Sequence, residues 1–261
     1  MKALLLAALA ALSTASCGAP LIKLPAGPGT PAPDAASVIA QATSACRAVN
    51  TITLEMSVSG KAAGHRLRGR LTAGLARPAS ARLEAVAPFG EPIFVFVAAS
   101  DDASLLLPRD RRVLEHGKAS DVLEAVSGVP LDAAALRLLV TGCANAPDAS
   151  DAVAFGDDWR VAPDGADNVY FRREGANGMW RLVSTTKRGV WRADYATFEN
   201  GLPNAVHLVS QPAGRFDLQM QFSQVDVNVP LGPEAFQLRK TGDPAPISLD
   251  ELRESGPLGV K

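Results

Sequence analysis

The chain is poor in the residues on which catalysis and metal binding usually rest. Its 261 residues include only three histidines and three cysteines. His65, His116 and His207 lie far apart, no HxxxH or CxxC spacing occurs, and the carboxylates do not cluster, so no metal site is written into the sequence. There is no GxSxG elbow and no phosphate loop, and no helix follows Gly64, Gly69 and Gly74. Asp101-Asp102 and Asp157-Asp158 are paired, but in turn-like stretches where solvated carboxylates are ordinary. A triad assembled only by folding leaves no trace in spacing. The expectation is therefore a protein that is not an enzyme and needs no cofactor. A net charge of -1 removes the electrostatic case for nucleic acid or an acidic membrane surface. The apolar run from Ala3 to Leu12 falls short of the ~20 residues that a membrane-spanning helix requires.

That run has another reading. Lys2 precedes it, Ser13-Thr14-Ala15-Ser16 closes it with small residues, and Cys17 follows. A basic start, a short apolar core and a small-residue exit describe a secretory signal, residues 1–16. Cys17 directly behind it resembles a lipobox, in which the thiol is acylated and the chain is cut just before it. Thr14 stands where a branched apolar residue is usual. The competing reading is plain secretion with cleavage after Ala15 or Ser16. Gly18, in place of an aspartate, favours the outer membrane over inner-membrane retention. Residues 17–33 are rich in Pro, Gly and Ala without periodicity and read as a lipidated flexible tether. If Cys17 carries lipid, Cys46 and Cys143 remain as an even pair in an oxidising compartment. Each follows a helix pattern, and a disulfide between them is expected.

From residue 34 to 261 the pattern is that of a single domain, mainly β with a few helices. Asp34 is placed to cap a first helix with Val38, Ile39, Ala42 and Ala45 on one face. Ile52, Leu54, Met56 and Val58 alternate with polar residues, as in an antiparallel strand with one wet face. Ile93 to Val97 is apolar on both faces, so both must be covered. Two short helices follow, the first capped by Ser120 and stopped by Gly128, the second capped by Asp132 and stopped by Gly142. More strands come after them. From Phe216 to Val229 the apolar positions change from even to odd numbers, which requires an extra residue, a β-bulge, near Ser223-Gln224. Pro244 and Pro246 interrupt the tail, and Ser248 is placed to cap a final turn. About ten strands are expected in all.

Three stretches together resemble a known family. They are Arg82-Leu83-Glu84-Ala85-Val86-Ala87-Pro88-Phe89-Gly90, Arg112-Val113-Leu114-Glu115-His116, and Val126-Ser127-Gly128-Val129-Pro130-Leu131 leading into Ala135 to Gly142. Their order resembles the outer-membrane lipoprotein receptor of the bacterial lipoprotein-localisation (Lol) pathway, itself similar to the soluble periplasmic carrier. The resemblance spans roughly Thr51 to Gly142. It implies an open, strongly curved antiparallel half-barrel closed by a helical lid. It also implies an apolar cavity that holds the acyl chains of a lipidated protein or another lipid. Leu83, Phe94, Phe96, Leu123, Val126, Leu136, Leu139 and Trp180 are the expected lining. The turn Pro88-Phe89-Gly90 corresponds to the receptor's protruding Pro-Leu-Gly turn, which implies that Phe89 passes lipid into the membrane. The implied setting is the cell envelope: a monomer held by Cys17 at the outer membrane, facing the periplasm, and supplied by a periplasmic carrier. The alternative is a structural or assembly lipoprotein of the envelope that uses the same fold without transfer. Two features depart from the family: a longer segment after Gly142, and the pair Cys46 and Cys143.

Overall fold

The computed structural model describes residues 20–86, 91–174, 178–240 and 242–255. Cys17 and the Pro88-Phe89-Gly90 turn lie outside the described residues. The N-terminal part is a short strand β1 (Thr30–Pro31) and a helix α1 (Ala35–Arg47). A first run of strands follows: β2 (Thr51–Ala62), β3 (His65–Ala76), β4 (Ser80–Val86), β5 (Val95–Ala99), β6 (Asp102–Leu107) and β7 (Arg112–Lys118). Two helices come next, α2 (Ala119–Ser127) and α3 (Ala133–Thr141). A second run comprises β8 (Val153–Phe155), β9 (Trp159–Asp164), β10 (Asp167–Arg173), β11 (Trp180–Lys187), β12 (Trp191–Glu199), β13 (Leu202–Ser210) and β14 (Phe216–Val227). A 3-10 turn (Pro233–Phe236), a short strand β15 (Ala245–Pro246) and helix α4 (Leu249–Ser255) complete the order.

Each run is an up-and-down antiparallel meander, and β14 pairs back onto β2, so the two meanders form one sheet. Among the described residues that sheet has fifteen strands, with β1 and β15 at its edges, so it is curved but not closed into a barrel. The extra strands beyond the expected ten come partly from edge pieces too short to show alternation: β1 and β15 have two residues each. The bulge is where parity demanded it. Ser223 pairs with Glu55 while Asp226 pairs with Thr53, so one extra residue is accommodated and Gln224 adopts φ 50°.

One face of the sheet carries the core. Along β4, Ala81, Leu83 and Ala85 point inward while Arg82 and Glu84 point out. The same alternation puts Phe216, Leu218, Met220 and Phe222 of β14 inside. Helices roof this inner face: α1 packs on β9 to β11, α2 on β6 and β7, and α3 across β3, β4 and β13. On β5 both faces are covered, as its composition requires. Phe96 joins the main core, and Val95 and Val97 form a second, outer cluster with Leu106, Val113 and Leu238. The outer cover is the C-terminal tail, whose 3-10 turn packs on β4 and β5.

Helix ends follow local chemistry with two exceptions. Asp132 caps α3 by accepting from Ala135 N at 2.7 Å, and Gly142 closes it in the left-handed region at φ 60°. Gly128 ends α2 the same way at φ 75°. Ser248 and Glu251 form a reciprocal capping box on α4: Ser248 N donates to Glu251 Oε2 at 2.8 Å, and Glu251 N donates to Ser248 Oγ at 3.2 Å. The expected cap at Ser120 is corrected. The cap position of α2 lies two residues earlier, at Lys118, and Ser120 turns to Asp121 instead. Asp34 precedes α1, yet its carboxylate makes no cap. A bidentate contact from Arg160, at 2.7 and 2.8 Å, occupies both oxygens.

The tether over residues 17–33 is also corrected where it is described. Ala32 is buried and Thr30–Pro31 pair with β8. Ile22 is clamped further back: its N–H donates to Asp194 Oδ2 at 2.7 Å, and its carbonyl accepts from Arg192 Nη2. Lack of periodicity suggested free chain because backbone hydrogen bonding to a distant side chain needs none.

Candidate functional site

The space between sheet and roof is lined almost wholly by apolar side chains. Leu83, Phe94, Phe96, Leu123, Val126, Leu136 and Leu139 belong to one continuous buried cluster. Leu83 and Phe96 sit directly opposite on β4 and β5. Leu123 and Val126 come down from α2, and Leu136 and Leu139 from α3. Phe94, Phe96, Leu105 and Leu139 are among the most deeply buried side chains, so the interior is filled by the protein itself.

Trp180 is placed differently from the other seven. It lies half-buried at the margin of the cluster, beside α1, where Trp180 N donates to Gln41 Oε1. Arg160 and Arg173 stack on its ring at 4.9 and 5.5 Å, which fixes it as an amphipathic edge piece. With Gln41, Ala45, Met179 and Phe198 it borders a small cleft of about 120 Å³.

A disulfide joins Cys46, in the last turn of α1, to Cys143, just behind α3, with Cα atoms 5.6 Å apart. It ties the roof of the second meander to the helix that spans the middle. Beside it, between α3 and strands β10 to β12, lies a cleft of about 230 Å³. Leu138 and Leu139 form its helical wall, and Val169, Thr185, Trp191 and Tyr195 form the sheet wall. Tyr195 is fully enclosed, with its hydroxyl 3.3 Å from Thr185 Oγ1, and burial pushes the phenol well above its ordinary value.

Sequence reasoning missed Arg137. It lies on α3, only 9% exposed, and its Nε and Nη1 have no hydrogen-bond partner among the described residues. Burial pulls this guanidinium below its ordinary value, and repulsion from Arg77 acts in the same direction. Arginine stays protonated nonetheless, so α3 carries a partly desolvated cation with no carboxylate partner among the described residues. The signal was present in the helix pattern, where Arg137 falls one turn from Ala133 and from Val140 and Thr141, all buried. Arg173 Nε, Trp191 Nε1 and His207 Nδ1 are likewise buried without a partner among the described residues, whereas the buried hydroxyls are satisfied. Thr43 and Thr141 donate to their own helices, at Ile39 O and Arg137 O, and Ser210 Oγ accepts from Arg215 N.

No sequence-family model matches the chain, and no curated protein matches it in sequence. Its structure does have neighbours. A crystal structure of a LolA superfamily protein from Nitrosomonas europaea is 13% identical, with 78% of this chain and 97% of that chain covered at a TM-score of 0.51. A DUF1329 family protein from Desulfovibrio piger is 10% identical over 80% of this chain and 98% of its own, at 0.47. A putative outer membrane lipoprotein-sorting protein domain from Vibrio parahaemolyticus is 13% identical over 72% and 89%, at 0.43. The first of these shows the fold: an open, curved antiparallel sheet roofed by helices, of the LolA type. The architecture expected from the stretches between Arg82 and Gly142 is therefore the one observed.

Proposed function

We propose that the protein binds the acyl chains of a lipidated protein or a comparable amphiphile between the inner sheet face and the α2–α3 roof. It would act without catalysis, as an envelope lipoprotein anchored through Cys17. The observation that carries this reading is the roof over an apolar trough. Helix α3 closes over an interior of Leu, Phe and Val while burying Arg137 unpaired. Partial desolvation of this cation opposes the closed position of the roof. Moving it aside relieves that cost and uncovers apolar surface, where acyl chains gain about 0.8 kcal/mol per buried CH2. The solved LolA superfamily structure supports the reading by fold. Delivery to the outer membrane, a periplasmic carrier as donor and Phe89 as the transfer tip extend it from the receptor resemblance. The dense packing of Phe94, Phe96 and Leu105 favours the alternative, a scaffold lipoprotein with a permanently filled interior.

Organic extraction of the mildly purified protein, followed by mass spectrometry, separates the two. Bound acyl lipid is expected, and Leu136→Trp should abolish it with only modest loss of thermal stability. Protein free of lipid, with Leu136→Trp severely unfolded, would establish the filled scaffold instead.

A further inference from the structure

The cleft between α3 and β10 to β12 is bordered by a residue with an unmet hydrogen-bond donor. Trp191 lines it, is about nine-tenths buried at 8% exposure, and its Nε1–H has no hydrogen-bond partner among the described residues. An indole nitrogen can only donate. Leaving such a donor buried and unmade costs about 1–3 kcal/mol, so a group that supplies an acceptor there is favoured by that amount.

The charges around the cleft narrow the acceptor. Asp132, Asp164 and Asp167 border it against one ammonium, Lys187. Asp164 is held by Asn145 N and Ala146 N at 2.8 and 3.0 Å, and Asp167 by Arg188 N at 2.7 Å, so their carboxylates are fixed in place. Three carboxylates against one cation oppose a phosphate or a fatty-acid carboxylate. The acceptor that fits is uncharged. Leu138, Leu139 and Val169 continue the wall toward the core cluster. The volume of about 230 Å³ is below the roughly 300–1,000 Å³ of pockets that enclose whole ligands, so the cleft suits one end of a longer molecule.

We infer that this seam seats the uncharged ester end of an acyl lipid, the Trp191 ring turning so that Nε1–H, sealed from solvent in this structure, donates to an ester carbonyl while the chain runs under α3. The inference rests on the lipid-binding reading above and adds the chemistry of the ligand's polar end. Such an ester occurs in a free glyceride and in the diacylglyceryl group of a lipidated protein.

The test uses the full chain with 15N-labelled tryptophan, titrated with monopalmitoylglycerol, a diacylglyceryl-cysteine peptide and hexadecane, all from the same detergent. The indole signals are assigned with Trp159→Phe and Trp180→Phe, so the wild-type readout does not depend on a Trp191 variant folding. The Trp191 indole proton should shift with the ester ligands and stay unmoved with hexadecane. Trp191→Phe, which keeps the ring and removes the donor, should weaken ester binding by about fivefold to tenfold and leave hexadecane unchanged. An effect with only the glyceride or only the peptide supports the seat and identifies its source. Ester binding with no indole shift and no loss in Trp191→Phe overturns the seat while leaving the lipid reading intact. If neither ester nor hexadecane binds the wild type, both fall together.

Discussion

On its outer face the first meander, β2 to β7, is sealed by oil, and the second, β8 to β14, by charge. Val95, Val97, Leu106 and Val113 meet Leu238 of the C-terminal tail in a small apolar cluster. Across the sheet, Arg192 and Asp194 pair at 2.7 Å, Ser184 donates to Asp194 at 2.7 Å, and this triplet grips the backbone of Ile22. Asp34 and Arg160 tie the chain again just ahead of α1. Both terminal segments serve as covers, but apolar cover is non-directional, whereas the ionic latch holds one backbone unit in one register. The difference teaches where each half should be vulnerable: the first to loss of volume, the second to loss of a single acceptor.

The comparison breaks most visibly at Asp194. With the pair only 14% and 5% exposed, Asp194→Ala leaves Arg192 without its partner and should cost about 3 kcal/mol. Residues 20–24 should detach at the same time, so trypsin should cut after Lys23 much faster than in wild type. Denaturation and proteolysis both unchanged would show that the latch holds nothing. Leu106→Ala tests the other half. It removes packing from a small outer cluster that has room to collapse, and about 2 kcal/mol is expected from a urea titration, with the Lys23 site still protected. Equal exposure of Lys23 would mean that the halves are not independent. The smallest effect concerns acid. The hydrogen bond from Arg160, more than its charge, holds the Asp34 carboxyl below the ordinary carboxylate range. A depressed folded-state pKa adds stability above the unfolded value and loses it as pH falls through the folded one. Because Asp34 is 42% exposed, less than about 1 kcal/mol is at stake. In Arg160→Gln the Asp34 titration followed by NMR should move up toward the ordinary range, and an unmoved midpoint would remove Arg160 as its cause.

Features governed by neighbours in sequence were legible in it. Asp132 and Gly142 bound α3 because a cap acts within one turn, and the parity change after Phe222 located the bulge because side-chain alternation is strictly local. The two-faced apolar strand announced that its outer side needed a cover. What supplies the cover, Leu238 beyond a proline-interrupted stretch, had no periodic signature. Asp34 has the composition of a cap, but Arg160, 126 residues away, offers a charge-assisted bidentate contact that a backbone N–H does not match. The docked stretch around Ile22 failed for the same reason, its partner Asp194 lying 172 residues off. Of the eight residues expected at the candidate site, seven fall in one buried apolar cluster. Arg137 and Trp191 were not legible, since an unmet donor is a property of what packs around it.

The Cys46–Cys143 bridge closes a loop of 97 residues that contains the whole first meander and both roof helices. In the chain-entropy picture a loop of about 100 residues is worth up to about 4.7 kcal/mol of stability. Its mechanical consequence is separate. Because the C-terminal end of α3 is stapled to α1, the roof has a hinge side and a latch side, like a door rather than a hatch. Any swing of α3 pivots about Cys143, and travel is greatest at the far end, along Gly128 to Asp132. The seam between α3 and β10 to β12 then stays narrow at Cys143 and widens along the helix toward Asp132, which borders its far end.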